Sequence, residues 1–212
     1  MDDSGIQLGS FFIKDSIGWW LSMKNIGVLA VQGAVREHVN MLNQIADVQG
    51  VLVKYEKDFD EIDGLIIPGG ESTAIGRLLR DFKLLEPLAE KIKAGLPVWG
   101  TCAGMILLAK KLLNDEAVHL GVMNIEVSRN GYGRQLGSFK TIVNIPEITD
   151  ADIPLTFIRA PYVNSVGDGV NVLLEIDGRI VACRQDHMLA TSFHPEITND
   201  LSFHKYFVDM IK

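Results

Sequence analysis

Two cysteines, Cys102 and Cys183, are all that 212 residues contain. No disulfide framework is available, and a reduced, cytoplasmic setting is expected. Basic charge is also short: 20 Lys and Arg stand against 27 Asp and Glu, for a formal net charge of -7. That balance excludes nucleic acid as a main partner, because phosphate binding needs a basic face. No apolar run reaches the length of a membrane span. Met1-Asp2-Asp3 lacks the basic start of a signal peptide. His119, His187 and His204 have no second ligand at metal-binding spacing, so neither a metal nor another cofactor is expected. Repeats, low-complexity segments and an interdomain linker are absent too. What is abundant is apolar: 47% of residues are hydrophobic, enough core for one globular domain.

Residues 1–22 have no clean helical or strand period, and Met23 resembles a natural start. The expectation is a leader or tag-like extension over 1–22 and one domain over 23–212. The alternative is a genuine extension whose aromatics cover an apolar patch or a partner. From Ile26 onward, apolar runs alternate with amphipathic stretches. Ile26–Val31, Val51–Val53, Leu65–Ile67 and Val98-Trp99 read as strands covered on both faces. Arg36–Ala46, the stretch after Ser72-Thr73, Leu84–Ala94 and Met105–Leu113 read as helices, with Ser72-Thr73 as a cap. This alternation predicts an α/β fold, a mostly parallel central sheet between two helical layers. The second half changes character. Ile125–Ser128 and Phe139–Ile145 alternate like antiparallel strands. Asp177-Gly178 marks a hairpin between Val172–Ile176 and Arg179–Cys183. Met188–Ser192 is a last strand and Phe203–Met210 a terminal helix.

Three segments carry chemistry. Gly100-Thr101-Cys102-Ala103-Gly104 fits the nucleophile-elbow pattern G-x-Nuc-x-G between a strand and a helix. A thiol there meets the N–H groups of a helix start, which favour the thiolate. Taken alone, the segment reads equally as a buried structural cysteine. His194-Pro195-Glu196 follows the last strand. In extended chain, residues two apart point the same way, so Glu196 can fix the imidazole of His194. With Cys102 these make a nucleophile, a base and an orienting carboxylate. By itself the motif is also an ordinary surface histidine. Pro68-Gly69-Gly70-Glu71-Ser72-Thr73 lies after a strand and before a helix, and its paired glycines leave backbone N–H groups open to a ligand. An acyl-transfer site needs such donors, and Gly70 and Ala103 N–H are the expected oxyanion hole. The plain alternative is a strand–helix turn; it is not a phosphate loop, lacking the G-K-[ST] ending. Cys183 reads as core and His38 as a helix-surface histidine.

Together these segments resemble the three signatures of the class I, triad-type glutamine amidotransferases. Within them the chain is most similar to the glutaminase-subunit family of two-component pyridoxal 5′-phosphate synthases. Gly27–His38, Pro68–Thr73, Ser128–Phe139 and Phe157–Pro161 carry the closer likeness, which runs from about Met23 to the C-terminus. The resemblance implies a flavodoxin-like three-layer fold and a Cys102-His194-Glu196 triad that hydrolyses L-glutamine. It implies glutamine contacts from Gly70, Glu71, Ser72, Arg129, Ile158 and Arg159. Without it, Arg129, Arg134 and Arg159 read as solvated loop cations. It also implies a partner, a (β/α)₈ barrel synthase subunit that receives the ammonia, and an isolated subunit whose oxyanion hole is completed on docking. Pyridoxal phosphate is then product rather than cofactor. The rivals are a glutaminase for another synthase, a stand-alone γ-glutamyl or DJ-1-like hydrolase, and a binding module that has kept the fold.

Overall fold

The structure, a computed structural model, describes residues 23–129 and 138–211. The expected 1–22 extension and the run from Asn130 through Gly137, with Arg134, lie outside the described residues. The elements in chain order are β1 (Lys24–Leu29), α1 (Val35–Leu42), β2 (Val48–Val53), β3 (Gly64–Ile67), α2 (Ser72–Asp81), α3 (Leu85–Lys93), β4 (Val98–Thr101), α4 (Ala103–Leu108) and β5 (Ala109–Leu112). Then come β6 (Met123–Ser128), β7 (Ser138–Ile145), β8 (Thr149–Ile158), β9 (Tyr162–Val166), β10 (Asn171–Ile176), β11 (Arg179–Gln185), β12 (Met188–Thr191) and α5 (Ser202–Asp209). Short 3₁₀ turns cover Glu56–Asp60 and Pro195–Ile197.

Among the described residues ten strands form one sheet in the order β2-β1-β3-β4-β12-β11-β9-β6-β5, with β10 paired to β11. The β2-β1-β3-β4-β12 half is parallel. From β12 to β11, β9 and β6 the pairing is antiparallel, and the edge pair β5–β6 is parallel again. Alternate residues of each parallel strand enter opposite cores. Leu65, Ile67, Val98 and Ala190 pack with α2, α3 and α4. Ile66, Trp99 and Leu189 pack with α1, α5 and the separate β7–β8 hairpin. This period of two is why the strands read as continuous apolar runs: both faces are covered. The three-layer α/β architecture expected from the alternation is the one observed. The Asp177-Gly178 hairpin is present too, both residues at positive φ (50° and 71°), as a two-residue primed turn requires.

Some elements differ from expectation. The helix expected over Met105–Leu113 ends at Leu108, and Ala109–Leu112 is a strand. Its pattern, Ala109 and Leu112 buried with Lys110 and Lys111 exposed, fits either state over so short a run; pairing with β6 decides it. Helix α1 stops at Leu42 rather than Ala46. Ser72 and Thr73 do not cap α2. The Glu71 carboxylate does, accepting from Thr73 and Ala74 N–H at 2.9 and 2.6 Å.

In-register pairing lines up the carboxyl ends of the inner strands. Ile67 lies beside Gly100, and Thr101 beside Thr191. Strand order also reverses around β1, whose neighbours are β2 and β3, so a crevice opens between the ends of β1 and β3. Gln32, Gly69-Gly70, Cys102 and His194 all follow these strand ends and meet at one edge.

Candidate active site

Cys102 sits between β4 and α4 with φ 49° and ψ -102°, a conformation that L residues avoid. Its N–H donates to the Thr191 carbonyl at 2.8 Å, tying the turn to β12. The turn is so tight that a Cβ on Gly104 would lie 2.1 Å from the Ile67 carbonyl oxygen. Glycine at that position is therefore steric necessity. The elbow geometry expected from the sequence is present, and Cys102 is 8% exposed at the floor of a pocket of about 930 Å³.

His194 follows β12, and its own N–H donates to the Thr156 carbonyl of β8 at 2.8 Å. Its Nδ1 lies 2.7 Å from Glu196 Oε1, and the ring also interacts with the Cys102 side chain. The i, i+2 reach from His194 to Glu196 does not come from extended chain. Pro195–Ile197 is a 3₁₀ turn with Pro195 at its start, and the turn folds the carboxylate back under the ring. Burial pulls the His194 pKa down, but the hydrogen bonds to Cys102 and Glu196 outweigh it and push it up to about 10. The imidazolium is thus the resting form. Glu196 has no side-chain exposure, so its charge has no bulk water to rely on.

The β3–α2 loop closes the other wall. A Cβ on Gly69 would meet His194 Cε1 at 2.5 Å and Cys102 Cβ at 3.4 Å, so the bare backbone lies against both. The Gly69 carbonyl accepts from Ala34 N–H at 3.0 Å, and Glu71 N–H donates to Gln32 Oε1 at 2.9 Å. Gly70, Glu71, Ser72 and Ala103 line the pocket. Arg129, at the end of β6, lines it as well. Its Nη1 donates to Asp115 at 2.6 Å, and its Nη2 to Ser72 Oγ and Thr73 Oγ1 at 2.8 and 2.7 Å. Three of the five guanidinium N–H groups are so used. The Ala117 N–H first, and then Arg129, hold the Asp115 carboxyl below its usual range. Ile158 ends β8 and Arg159 follows it, both lining the same pocket, Arg159 at φ 45°.

Every described residue singled out from the sequence as a site candidate therefore lines or underlies one pocket. Several of its neighbours were not anticipated. Gln32 and Asp115 stand on the pocket wall. His38 is fully buried behind the triad rather than on a helix surface. The sign was legible: Val35, Val39 and Leu42 mark the inward stripe of α1, and His38 lies on it, three residues from Val35. Cys183 is core as expected, and burial pushes its thiol up to about 12.

A strained cysteine elbow, backed by a histidine–carboxylate pair at the carboxyl edge of a three-layer α/β sheet, is the class I glutamine amidotransferase arrangement. A solved structure described as a glutamine amidotransferase matches with a TM-score of 0.82 at 38% identity, over 88% of this chain and 98% of that one. PurLQS from Thermotoga maritima, at 16% identity and a TM-score of 0.63 over 90% of this chain and 100% of that one, shares the fold. In sequence, the SNO glutamine amidotransferase family profile matches residues 28–212. The chain is 62% identical over 189 residues to the pyridoxal 5′-phosphate synthase subunit PdxT of Ruminiclostridium cellulolyticum, covering 89% of this chain and 100% of that protein. It is 50% identical to the same-named subunit of Haemophilus influenzae, over 88% of this chain and 98% of that one. The chain belongs to the SNO glutamine amidotransferase family.

Proposed function

We propose that this chain is the glutaminase subunit of a pyridoxal 5′-phosphate synthase, releasing ammonia from L-glutamine through Cys102, His194 and Glu196. The observation that carries the reading is Cys102 beside the hydrogen-bonded His194–Glu196 pair, opening into a pocket walled by Arg129. Glutamine enters with its α-carboxylate against the Arg129 guanidinium, a charge-assisted contact. Glu71, Ser72, Ile158 and Arg159 shape the pocket around the amino-acid end.

The Cys102 thiolate attacks the side-chain amide carbon, forming the C–S bond. The developing oxyanion is held by the Gly70 and Ala103 N–H groups. Imidazolium His194 gives its proton to the departing nitrogen, and ammonia leaves as the tetrahedral intermediate collapses to a glutamyl thioester. Neutral His194 then takes a proton from water, whose oxygen attacks the thioester carbon. Glutamate departs and the thiolate–imidazolium pair is restored. Glu196 keeps the ring in one orientation throughout.

Ammonia escapes readily by protonation and diffusion, so we assign the partner as a separate (β/α)₈ synthase subunit that docks over the pocket and takes the ammonia directly. Docking then completes the oxyanion hole at the Gly69–Gly70 peptide, and the working site is cytoplasmic. Among the described residues no helix is long and apolar enough to cross a membrane. The test is glutamine hydrolysis with and without the barrel subunit. The wild-type complex should release ammonia, and Cys102→Ala should lose at least about a thousandfold of that rate. An unchanged rate in Cys102→Ala would remove the cysteine from the chemistry. No stimulation by the barrel subunit would remove the partner.

A further inference from the structure

Behind the triad lies a polar group that the steps above do not use. His38 on α1 and His204 on α5 are both fully buried. His38 Nδ1 lies 3.0 Å from His204 Nε2. On its other side, His38 Nε2 is 3.3 Å from Thr101 Oγ1, the residue before the nucleophile, and 3.5 Å from Glu196 Oε2. Trp99 packs edge-on against both imidazoles, with ring centroids 5.8 and 5.0 Å away. Glu196 Oε1 is engaged by His194, whereas Oε2 is buried and makes no hydrogen bond among the described residues, His38 Nε2 standing 3.5 Å from it.

Proton counting selects one arrangement. Burial, then the neighbouring His204 and His194, push the His38 pKa well down, and burial takes His204 down to about 3, so both rings are neutral. Each therefore has one N–H. Only one of the two protons can lie between His38 Nδ1 and His204 Nε2. If His38 supplies it, the Nε2 lone pair of His38 faces the Glu196 carboxylate with only the Thr101 hydroxyl to meet it, and a buried His204 Nδ1–H has no acceptor among the described residues. If His204 supplies it, His38 Nε2–H faces Glu196 and Thr101. The one unmet group is then a bare nitrogen at His204 Nδ1, which agrees with the missing partner there. Orphaned N–H donors and carboxylates facing lone pairs are the costlier choice.

The geometry points to His38 as a positioning residue for the reaction: its Nε2–H holds the second oxygen of Glu196 and so fixes the carboxylate that orients His194. Glu196 is then gripped from both ends, by His194 at Oε1 and by His38 at Oε2. Its plane cannot rotate without losing one donor in a water-free interior. The relay from His204 through His38 to Glu196 keeps the proton of His38 on the required nitrogen. It does so as a carboxylate fixes the tautomer of a catalytic histidine. Helix α1 thereby reaches the triad from the opposite face of the sheet.

This inference rests on the glutaminase reading, and the experiment separates the two. The ¹⁵N NMR spectrum of full-length protein should show His38 protonated at Nε2 and not at Nδ1. In the assembled complex, His38→Leu should lower kcat for glutamine by about tenfold to a hundredfold, the range for groups that orient an imidazole's partner. KM should stay within about twofold, because glutamine is not touched. His38→Gln places an amide N–H where Nε2 stood and should recover kcat to within about threefold of wild type. In a Glu196→Gln background, His38→Leu should cost little more, because the carboxylate it holds is gone. An Nδ1–H signal on His38 would overturn the proposal. So would His38→Gln as slow as His38→Leu, or an equal cost of His38→Leu in both backgrounds. If His38→Leu does not fold, His38→Gln and the spectrum still decide. A wild-type complex that releases no ammonia defeats the glutaminase reading instead, while the tautomer signal continues to judge His38.

Discussion

At Cys102 the backbone holds a positive φ that costs an L residue about 1–3 kcal/mol, and its neighbours hold it there. Thr191 accepts its N–H, and the Gly104 backbone presses against β3. The thiol is thereby pushed into the pocket rather than into the sheet. Gly104→Ala should be severe, since the new Cβ would fall 2.1 Å from the Ile67 carbonyl, which is backbone and cannot rotate away. We expect a loss of at least about 3 kcal/mol in denaturant unfolding, with glutaminase activity lost alongside. A Gly104→Ala protein of wild-type midpoint would show that the elbow is looser than its geometry. The elbow was legible from Gly100 to Gly104 because its steric demand falls on two glycines, each two positions from Cys102. His38 was not read correctly, although its place on the apolar stripe of α1 was visible. A histidine on such a stripe declares burial, but its partners, Thr101, Glu196 and His204, lie far along the chain.

Helix α2 does two jobs with one turn. Glu71 caps its first N–H groups, while Ser72 and Thr73 present hydroxyls to Arg129. The Thr73 N–H, with lesser help from Ala74 N–H and Arg129, keeps the exposed Glu71 carboxyl below its usual range. The guanidinium is thus aimed by a helix start on one side and by Asp115 on the other. Arg129→Ala should raise KM for glutamine by roughly ten- to hundredfold, the worth of a charge-assisted bond, with kcat less affected. Asp115→Asn should raise KM by a smaller factor, because aim is lost but charge is kept. Steady-state kinetics of the complex decide, and an Arg129→Ala effect confined to kcat would exclude a carboxylate-binding role. Propensity suggested Ser72 and Thr73 as the cap, as those residue types often are. They were instead committed to Arg129, a contact across more than fifty residues that local pattern does not encode. The 3₁₀ turn at Pro195–Ile197 is a similar case. Histidine and glutamate two apart were rightly paired, but a proline-started turn rather than an extended strand joins them.

Across the whole molecule, the parallel half was the most legible part, because strands buried on both faces leave unbroken apolar runs, and β1 and β3 lead into amphipathic helices. The β7–β8 hairpin was read only at Phe139–Ile145. Its β8 partner includes exposed Asp150 to Asp152 before the core positions Ile153, Leu155 and Phe157, a mixture that hides the strand. Burial of titrating groups has a consequence at the same scale. His38 and His204 are buried neutral, with folded pKa values below the unfolded 6.5. As pH falls below 6.5 the unfolded chain takes up these two protons and the folded one does not, so stability is lost toward acid. His194 runs the other way, with its folded pKa raised to about 10. Its contribution is complete below 6.5 and is lost as pH rises toward 10. Cys183, raised from 9.0 to about 12, adds to that alkaline loss only above 9. Wild-type stability should therefore fall on the acid side of pH 6.5, whereas on the alkaline side the proton that His194 gains in the thiolate–imidazolium pair is the one the thiol gives up, and the two offset. Denaturant unfolding of Cys102→Ala, which removes that offset, should show an alkaline limb of about one proton, ~1.4 kcal/mol per pH unit, between 7 and 9. Glu196→Gln should flatten that limb, because the carboxylate that holds the imidazolium is removed. His204→Phe should take about one proton out of the acid limb between 6 and 5 and leave the alkaline limb unchanged. A Cys102→Ala curve that is level from 7 to 9 would mean that Glu196 does not hold His194 as an imidazolium, and the proton given to ammonia would have to come from the thiol during the reaction instead.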